Sequence, residues 1–230
     1  MKNYITNIVV AALLLCSQVY AGGVHDELIP DAKRFGGPYG LIIMVDNSGL
    51  NNQNSCPTLA NKNLENMKSL ISKNTIRQNR LSSVEFVGFN ENIVSIKSIQ
   101  ESRPAKLFRI SQDAVSGVEE FLYKDTSSAS KDIFSSLRYI NRLVRSKYSG
   151  YETVAISIYT NLRQSVSSGK DFKDIEPIIM DHRIRLKIMA ASGLECQGAV
   201  SSELFHSEQN SVDFWKSKIV SNNLEIITVY

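Results

Sequence analysis

The sequence offers few of the residues from which catalytic centres are commonly built. It has three histidines, His25, His182 and His206, and none lies beside an obvious nucleophile in the chain. Its three cysteines include no Cys-x-x-Cys pair, so the spacing of redox and metal-binding cysteines is absent. Ser48 lies in Asn-Ser-Gly and lacks the Gly-x-Ser-x-Gly turn that exposes a catalytic serine. These absences argue against an enzyme.

The chain also lacks a strong excess of charge. Its 26 Lys and Arg residues against 23 Asp and Glu residues give a net charge of +3, and no basic cluster is interleaved with aromatic residues. A nucleic-acid surface needs more positive charge than this. The sequence contains no internal repeat. Its length of 230 residues suits one α/β domain with a sizeable core. We therefore expect one domain and no nucleic-acid partner.

The first residues have the pattern of a targeting segment. Lys2 supplies a positive end, and residues 8–16 form an apolar core that is too short to span a membrane. Val19-Tyr20-Ala21 then provides a small-residue cleavage pattern. We predict a signal peptide over residues 1–21 and hence an exported protein, periplasmic or secreted. An uncleaved membrane anchor stays open as an alternative.

The cysteines suit such an exported protein. Cleavage would remove Cys16, whose place at the end of the apolar core also leaves a lipoprotein open. It would leave Cys56 and Cys196, an even pair. Both lie in predicted loops, one after the first strand and one late in the chain. We predict a structural disulfide between them, with a redox or metal role as the alternative.

Beyond a Gly- and Pro-containing arm over residues 22–39, strand and helix patterns alternate from residue 40 to residue 230. Predicted strands cover residues 41–45, 84–89, 93–96, 153–160, 184–191 and 224–230, and the turn at residues 90–92 makes the third an antiparallel edge. Predicted helices cover residues 58–72, a segment N-capped by Ser111, a segment with apolar residues in register from 133 to 144, and residues 171–180 and 211–220. The alternation predicts an α/β fold with a doubly wound, mostly parallel sheet.

The first predicted strand ends in the most informative motif of the chain. Its apolar run is closed by Asp46, Asn47, Ser48 and Gly49, which is typical of a strand buried on both faces. The strand end brings a carboxylate and a hydroxyl to the carboxyl edge of the sheet, where open α/β folds bind ligands. Asp46 and Ser48 are also spaced so that both can point at one hard cation.

An apolar strand followed by Asp-x-Ser resembles the first strand and metal-site loop of von Willebrand factor type A (vWA) domains. The loop of that family is Asp-x-Ser-x-Ser, and Leu50 stands here at the second Ser. The second motif of the family, a Thr before Asp-Ile at a helix start, resembles Asp132-Ile133 with Lys131 at the Thr position, or with Ser130 if the loop shifts by one residue. The third motif ends a strand with Asp, where this chain has Asn161.

The resemblance implies a vWA-like domain over residues 40–230 with a degenerate metal-ion-dependent adhesion site. We expect no cofactor, because an ammonium and an amide replace oxygen ligands and negative charge. The alternative is weak Mg²⁺ or Mn²⁺ binding by Asp46, Ser48 and Ser130. A second alternative gives Ser130 only the role of helix N-cap, with Lys131 in solvent.

For function, the resemblance implies a non-catalytic protein–protein interaction module whose partner is another protein, expected in the bacterial envelope. The contacts would come from the loops around Asp46, Ser130 and Asn161. Two alternatives stay open: a structural scaffold of a secretion or conjugation apparatus, and a metal-dependent adhesin.

Overall fold

The structure is a computed structural model that describes residues 38–48, 57–77, 81–90, 92–124, 132–160, 162, 175–191 and 208–229. The strands are β1 (Tyr39–Asp46), β2 (Leu81–Phe89), β3 (Ile93–Gln100), β4 (Thr153–Thr160), β5 (Ile178–Ile179), β6 (Ile184–Ala191), β7 (Ile219–Val220) and β8 (Leu224–Val229). The helices are α1 (Pro57–Arg77), α2 (Pro104–Tyr123), α3 (Ile133–Ser146) and α4 (Glu208–Lys218).

Six of the strands form one sheet in the order β3-β2-β1-β4-β6-β8. Neighbouring strands run parallel except β3, which pairs antiparallel with β2 and forms one edge. The prediction of a mostly parallel α/β sheet with one antiparallel edge strand is therefore confirmed. The two short strands β5 and β7 pair in parallel in a separate sheet.

Helices cover both faces of the six-stranded sheet, as a doubly wound fold requires. One core joins one face of β1 to apolar residues of α1 and α2, and the other joins the opposite face to α3 and Trp215 of α4. Every residue of β1 is buried, since successive side chains enter alternate cores. Each fully buried large apolar side chain contributes about 1.5–3 kcal/mol, so both cores hold the end of β1 in place.

Several predicted elements differ from the structure. The helix expected after an N-cap at Ser111 begins at Pro104, and Ser111 lies buried inside it. Proline favours the first helical turn because it supplies no N–H where none is needed. The predicted helix over residues 171–180 is wrong for its described part, in which residues 178–179 form β5. The last helix ends at Lys218 and not at residue 220, because Ile219–Val220 pair with β5.

The amino edge of the sheet is held to α3 by an arginine. Arg183 donates to the carbonyl oxygens of Tyr148 and Ser149 just beyond α3, at 2.8 and 3.0 Å. The same guanidinium donates to the carboxylate of Asp181 at 2.8 and 2.9 Å. These hydrogen bonds lower the pKa of Asp181 to about 2. The ionised carboxylate therefore stabilises the folded state above its unfolded pKa.

A glycine makes room on β1 for Tyr148, which follows α3. A Cβ on Gly40 would lie 2.8 Å from the ring of Tyr148. The Tyr148 hydroxyl donates to the buried Glu85 carboxylate at 3.0 Å, and Lys147 pairs with the same carboxylate at 2.7 Å. The charge of Glu85 is thus compensated inside the fold.

None of the described helices combines the length and apolar character that crossing a membrane requires. The predicted signal peptide and arm lie outside the described residues, and the domain boundaries stay predictions.

Candidate functional site

The candidate site lies at the carboxyl end of β1, where the chain turns back on Asp46. This carboxylate is fully buried. Its Oδ1 accepts hydrogen bonds from the backbone N–H of Ser48, at 2.8 Å, and from the Ser48 hydroxyl. Ser48 is itself buried, so the Asp-x-Ser segment forms a closed local turn. The structure thus brings together the two residues predicted from the first motif.

The second oxygen of Asp46 is held by the neighbouring strand. Thr160, the last residue of β4, donates its hydroxyl to Asp46 Oδ2 at 2.7 Å. The parallel register places Val45 beside Tyr159, so Asp46 and Thr160, the last residues of the two strands, lie side by side. Sequence reasoning did not assign this role to Thr160. The sequence does contain a hint of this role, because the β4 segment has the β-branched pattern of a buried strand and its last residue bears a hydroxyl.

Asn47 fastens the same turn to two other elements. Its backbone N–H donates to the carbonyl of Phe89 at the end of β2, at 2.9 Å. Its side-chain amide donates to the carbonyls of Phe121, at 2.7 Å, and Lys124, at 3.4 Å, at the end of α2. The Phe121 carbonyl also accepts the Lys124 N–H at 3.3 Å, so Asn47 adds a second donor at this helix terminus while it fixes the Asp46 turn.

Leu162 connects the site to the core beneath α4. It adopts a left-handed backbone with φ 61°, which costs a non-glycine residue on the order of 1–2 kcal/mol. Its N–H donates to the Thr160 hydroxyl at 3.4 Å, and its carbonyl accepts from the Trp215 indole at 2.7 Å. Its side chain is buried in the same core as Trp215, whose ring lies 4.7 Å from that of Phe134. Packing and hydrogen bonds together hold this conformation in place.

The second motif reaches the same edge of the sheet through the start of α3. Asp132 donates its backbone N–H to the carbonyl of Asn90, just beyond β2, at 3.0 Å. Its carboxylate accepts from the Ser135 backbone N–H at 2.9 Å and from the Ser135 hydroxyl at 2.6 Å, so Asp132 is the N-cap of α3. The alternative that made Ser130 the N-cap is therefore wrong.

The other predicted site residues are Leu50, Ser130, Lys131 and Asn161, and all lie outside the described residues. Cys56 and Cys196, the predicted disulfide pair, also lie outside them. The altered second and third motifs and the disulfide stay predictions.

The described residues form only part of the predicted metal site. It brings together one carboxylate and two hydroxyls, from Asp46, Ser48 and Thr160, and both hydroxyls donate to that carboxylate. Hard cations need several oxygen ligands with enough negative charge to offset the loss of their water. Among the described residues, no group of three or more His, Cys, Asp and Glu side chains is arranged to hold a metal. What these three residues build is a buried hydrogen-bond cluster that joins β1 to β4.

The sequence matches no protein-family model and no curated protein. The fold, in contrast, is similar to solved structures. Manganese-loaded TRAP protein from Plasmodium vivax has a TM-score of 0.50 at 9% identity, over 81% of this chain and 68% of that chain. The human COPII-coat protein Sec24c has a TM-score of 0.50 at 9% identity, over 86% and 30%.

Proximal thread matrix protein 1 from the mussel byssus has a TM-score of 0.49 at 11% identity, over 82% of this chain. This chain spans 44% of the length of that protein. At such identities the likeness concerns the fold, and function has to be argued from the site. The likeness to TRAP, the strand order and the Asp-x-Ser turn at the end of β1 agree: the chain has the fold of a von Willebrand factor type A domain.

Proposed function

We propose that the chain is an exported, non-catalytic protein–protein interaction module of the bacterial envelope. It contacts its partner through the loops around Asp46, Ser130 and Asn161. One observation carries this proposal: in the buried Asp46 cluster, both carboxylate oxygens accept hydrogen bonds from inside the fold. Such a cluster gives the surrounding loops a rigid base, and rigid scaffolds with functional loops are a common arrangement for binding.

The same geometry argues against catalysis at this corner. Ser48 donates its hydroxyl to Asp46 and is buried, so its oxygen is not presented to a substrate. A serine nucleophile needs an activating base, most often a histidine. His182, the one histidine among the described residues, precedes β6 and therefore lies at the amino edge, opposite Asp46. Its side chain is 84% exposed and faces Asp181.

Export and the envelope location rest on the leader pattern of residues 1–21. A partner in the same compartment would meet the domain after cleavage. The proposed contact does not use a metal, because the described corner places a single carboxylate among hydroxyl donors.

Capture from membrane extracts tests the proposal. The bait would be the mature chain, compared with a loop variant, Ser130→Arg with Asn161→Arg. The matched control is Ser149→Arg with His182→Arg, which introduces two arginines at exposed positions of the opposite edge. Circular dichroism would confirm that all three are folded.

We expect the native chain and the control to capture a specific partner. The loop variant should bind it at least about tenfold more weakly, which corresponds to a loss of about 1.4 kcal/mol in binding free energy. Capture should also persist in the presence of a chelator. Equal capture by the loop variant, or a loss confined to the control, would contradict the proposal.

A further inference from the structure

The free edge of β3 forms a second surface with the features of a binding site. β3 pairs with β2 along one side, and no strand in the described part of the chain pairs with its other side. Ser95, Lys97 and Ser98 are exposed, and Val94 is 46% exposed. An edge of this kind presents unpaired N–H and C=O groups that can hydrogen-bond an added strand.

A groove follows this edge on each face of the sheet. On the α3 side a groove of about 330 Å³ is lined by Ile93, Ser135, Arg138, Asn141 and Arg142. On the α2 side a groove of about 260 Å³ is lined by Ile96, Lys97, Ile110, Asp113, Ala114 and Gly117. The edge therefore offers backbone hydrogen bonds with a recess for side chains on either side of them.

The α3-side groove is positively charged. Arg138 and Arg142 lie one helical turn apart, and both are exposed. Within the described residues neither forms an ion pair, whereas Ser135 is engaged by Asp132 and Asn141 donates to the Ile179 carbonyl at 2.8 Å. The groups left to meet a ligand are two guanidiniums, which match carboxylates in shape and charge.

The α2-side groove is largely apolar. Ile96, Ile110 and Ala114 contribute aliphatic surface, and Lys97 and Asp113 add one charge of each sign. Gly117 contributes no side chain, and a Cβ there would lie 3.4 Å from Ile96. This recess suits a small aliphatic side chain.

From these two grooves we propose that the β3 edge binds an extended segment of a partner protein in which acidic and apolar residues alternate. An added strand points successive side chains to opposite faces. Its acidic residues then meet Arg138 and Arg142 while its apolar residues enter the α2-side groove. Backbone hydrogen bonds supply affinity and the alternate side chains supply specificity, as in other strand-addition complexes.

The edge is less suited to a second copy of this chain. Exposed Lys97 disfavours pairing between two copies, because each copy brings the same positive charge to the edge. The α3-side positions of β3 itself include Ile93, Ser95 and Ser98, none of which is acidic, so another β3 strand would bring the arginines no carboxylate.

A fluorescein-labelled peptide of alternating Glu and Val residues tests this proposal by anisotropy on the whole mature chain. The variant Arg138→Glu with Arg142→Glu reverses the charge of the α3-side groove. Its matched control is Lys68→Glu with Lys216→Glu, an equal charge change at exposed positions on α1 and α4. Two further peptides replace Glu by Lys, or carry N-methyl groups on alternate backbone amides that block strand pairing.

We expect saturable binding of the Glu–Val peptide by the native chain and the control, and at least about tenfold weaker binding by the double arginine variant, because its charge-assisted contacts become repulsive. The Lys–Val and N-methylated peptides should not bind. Failure of the Glu–Val peptide to bind at millimolar concentration would overturn the proposal. Equal binding of the N-methylated peptide would overturn it too, because the contact would then be ionic without an added strand. The assay involves none of the loops around Asp46, so its outcome does not decide the proposed function.

Discussion

Replacing Thr160 by Val should destabilise the domain through the buried Asp46 carboxylate. The substitution keeps the branched shape of the side chain and removes the hydroxyl that donates to Asp46 Oδ2 at 2.7 Å. Hydrogen bonds to charged groups are worth about 1.5–3 kcal/mol, and an unsatisfied buried acceptor adds its own desolvation cost. The hydroxyl also accepts the Leu162 N–H, at 3.4 Å. We expect a loss of about 2–3 kcal/mol in the free energy of unfolding.

Urea unfolding followed by tryptophan fluorescence measures this loss, because the single tryptophan, Trp215, is buried and hydrogen-bonded to Leu162. The matched control is Thr153→Val, at the buried start of the same strand, where the described residues offer the hydroxyl no hydrogen bond. The control should change the unfolding free energy by less than about 1 kcal/mol. Combining Thr160→Val with Asp46→Asn should give a coupling of about 1 kcal/mol or more. Equal losses in the two threonine variants, or no coupling, would contradict a stabilising hydrogen bond between Thr160 and Asp46.

Three further predictions concern other parts of the chain. Mass measurement of the exported protein should show a mature N-terminus at Gly22, and recovery of the intact leader would contradict cleavage. Mapping without reductant should find Cys56 linked to Cys196, a bridge worth roughly 2–5 kcal/mol, and two free thiols would refute it. The low pKa of Asp181 should stabilise the fold above pH 4 by about 1 kcal/mol after solvent screening, a contribution lost as the pH falls from about 4 to about 2. Asp181→Asn should remove that part of the acid dependence, and an unchanged profile would contradict the assignment.

The parts of the fold that were predicted are those specified by local pattern. The strands at Thr153–Thr160 and Ile184–Ala191 have the predicted bounds, since β-branched apolar runs with polar ends strongly favour buried strands. The start of α2 at Pro104, ahead of the N-cap predicted at Ser111, was not predicted because proline suits both a helix start and a chain break. Ile178–Ile179 form a strand only through pairing with Ile219–Val220, and such distant pairing leaves no local pattern.

The same distinction between local pattern and tertiary contact applies to the residues of the site. Asp46 and Ser48 could be assigned because their spacing and their position after a buried run express one local turn. The role of Thr160 follows from the register of β4 against β1, which requires the sheet order. The left-handed backbone of Leu162 and its hydrogen bond to Trp215, 53 residues away in sequence, depend on tertiary packing and have no sequence signature.

Isothermal titration with Mg²⁺ and Mn²⁺ tests whether the interaction module is independent of a metal. The native chain would be compared with a variant that restores the hydroxyl and carboxylate of the vWA motifs, Lys131→Thr with Asn161→Asp. We expect no useful affinity in the native chain, where the described residues bring a single carboxylate to the site, and a gain of binding in the variant. Tight binding of either ion by the native chain would contradict it.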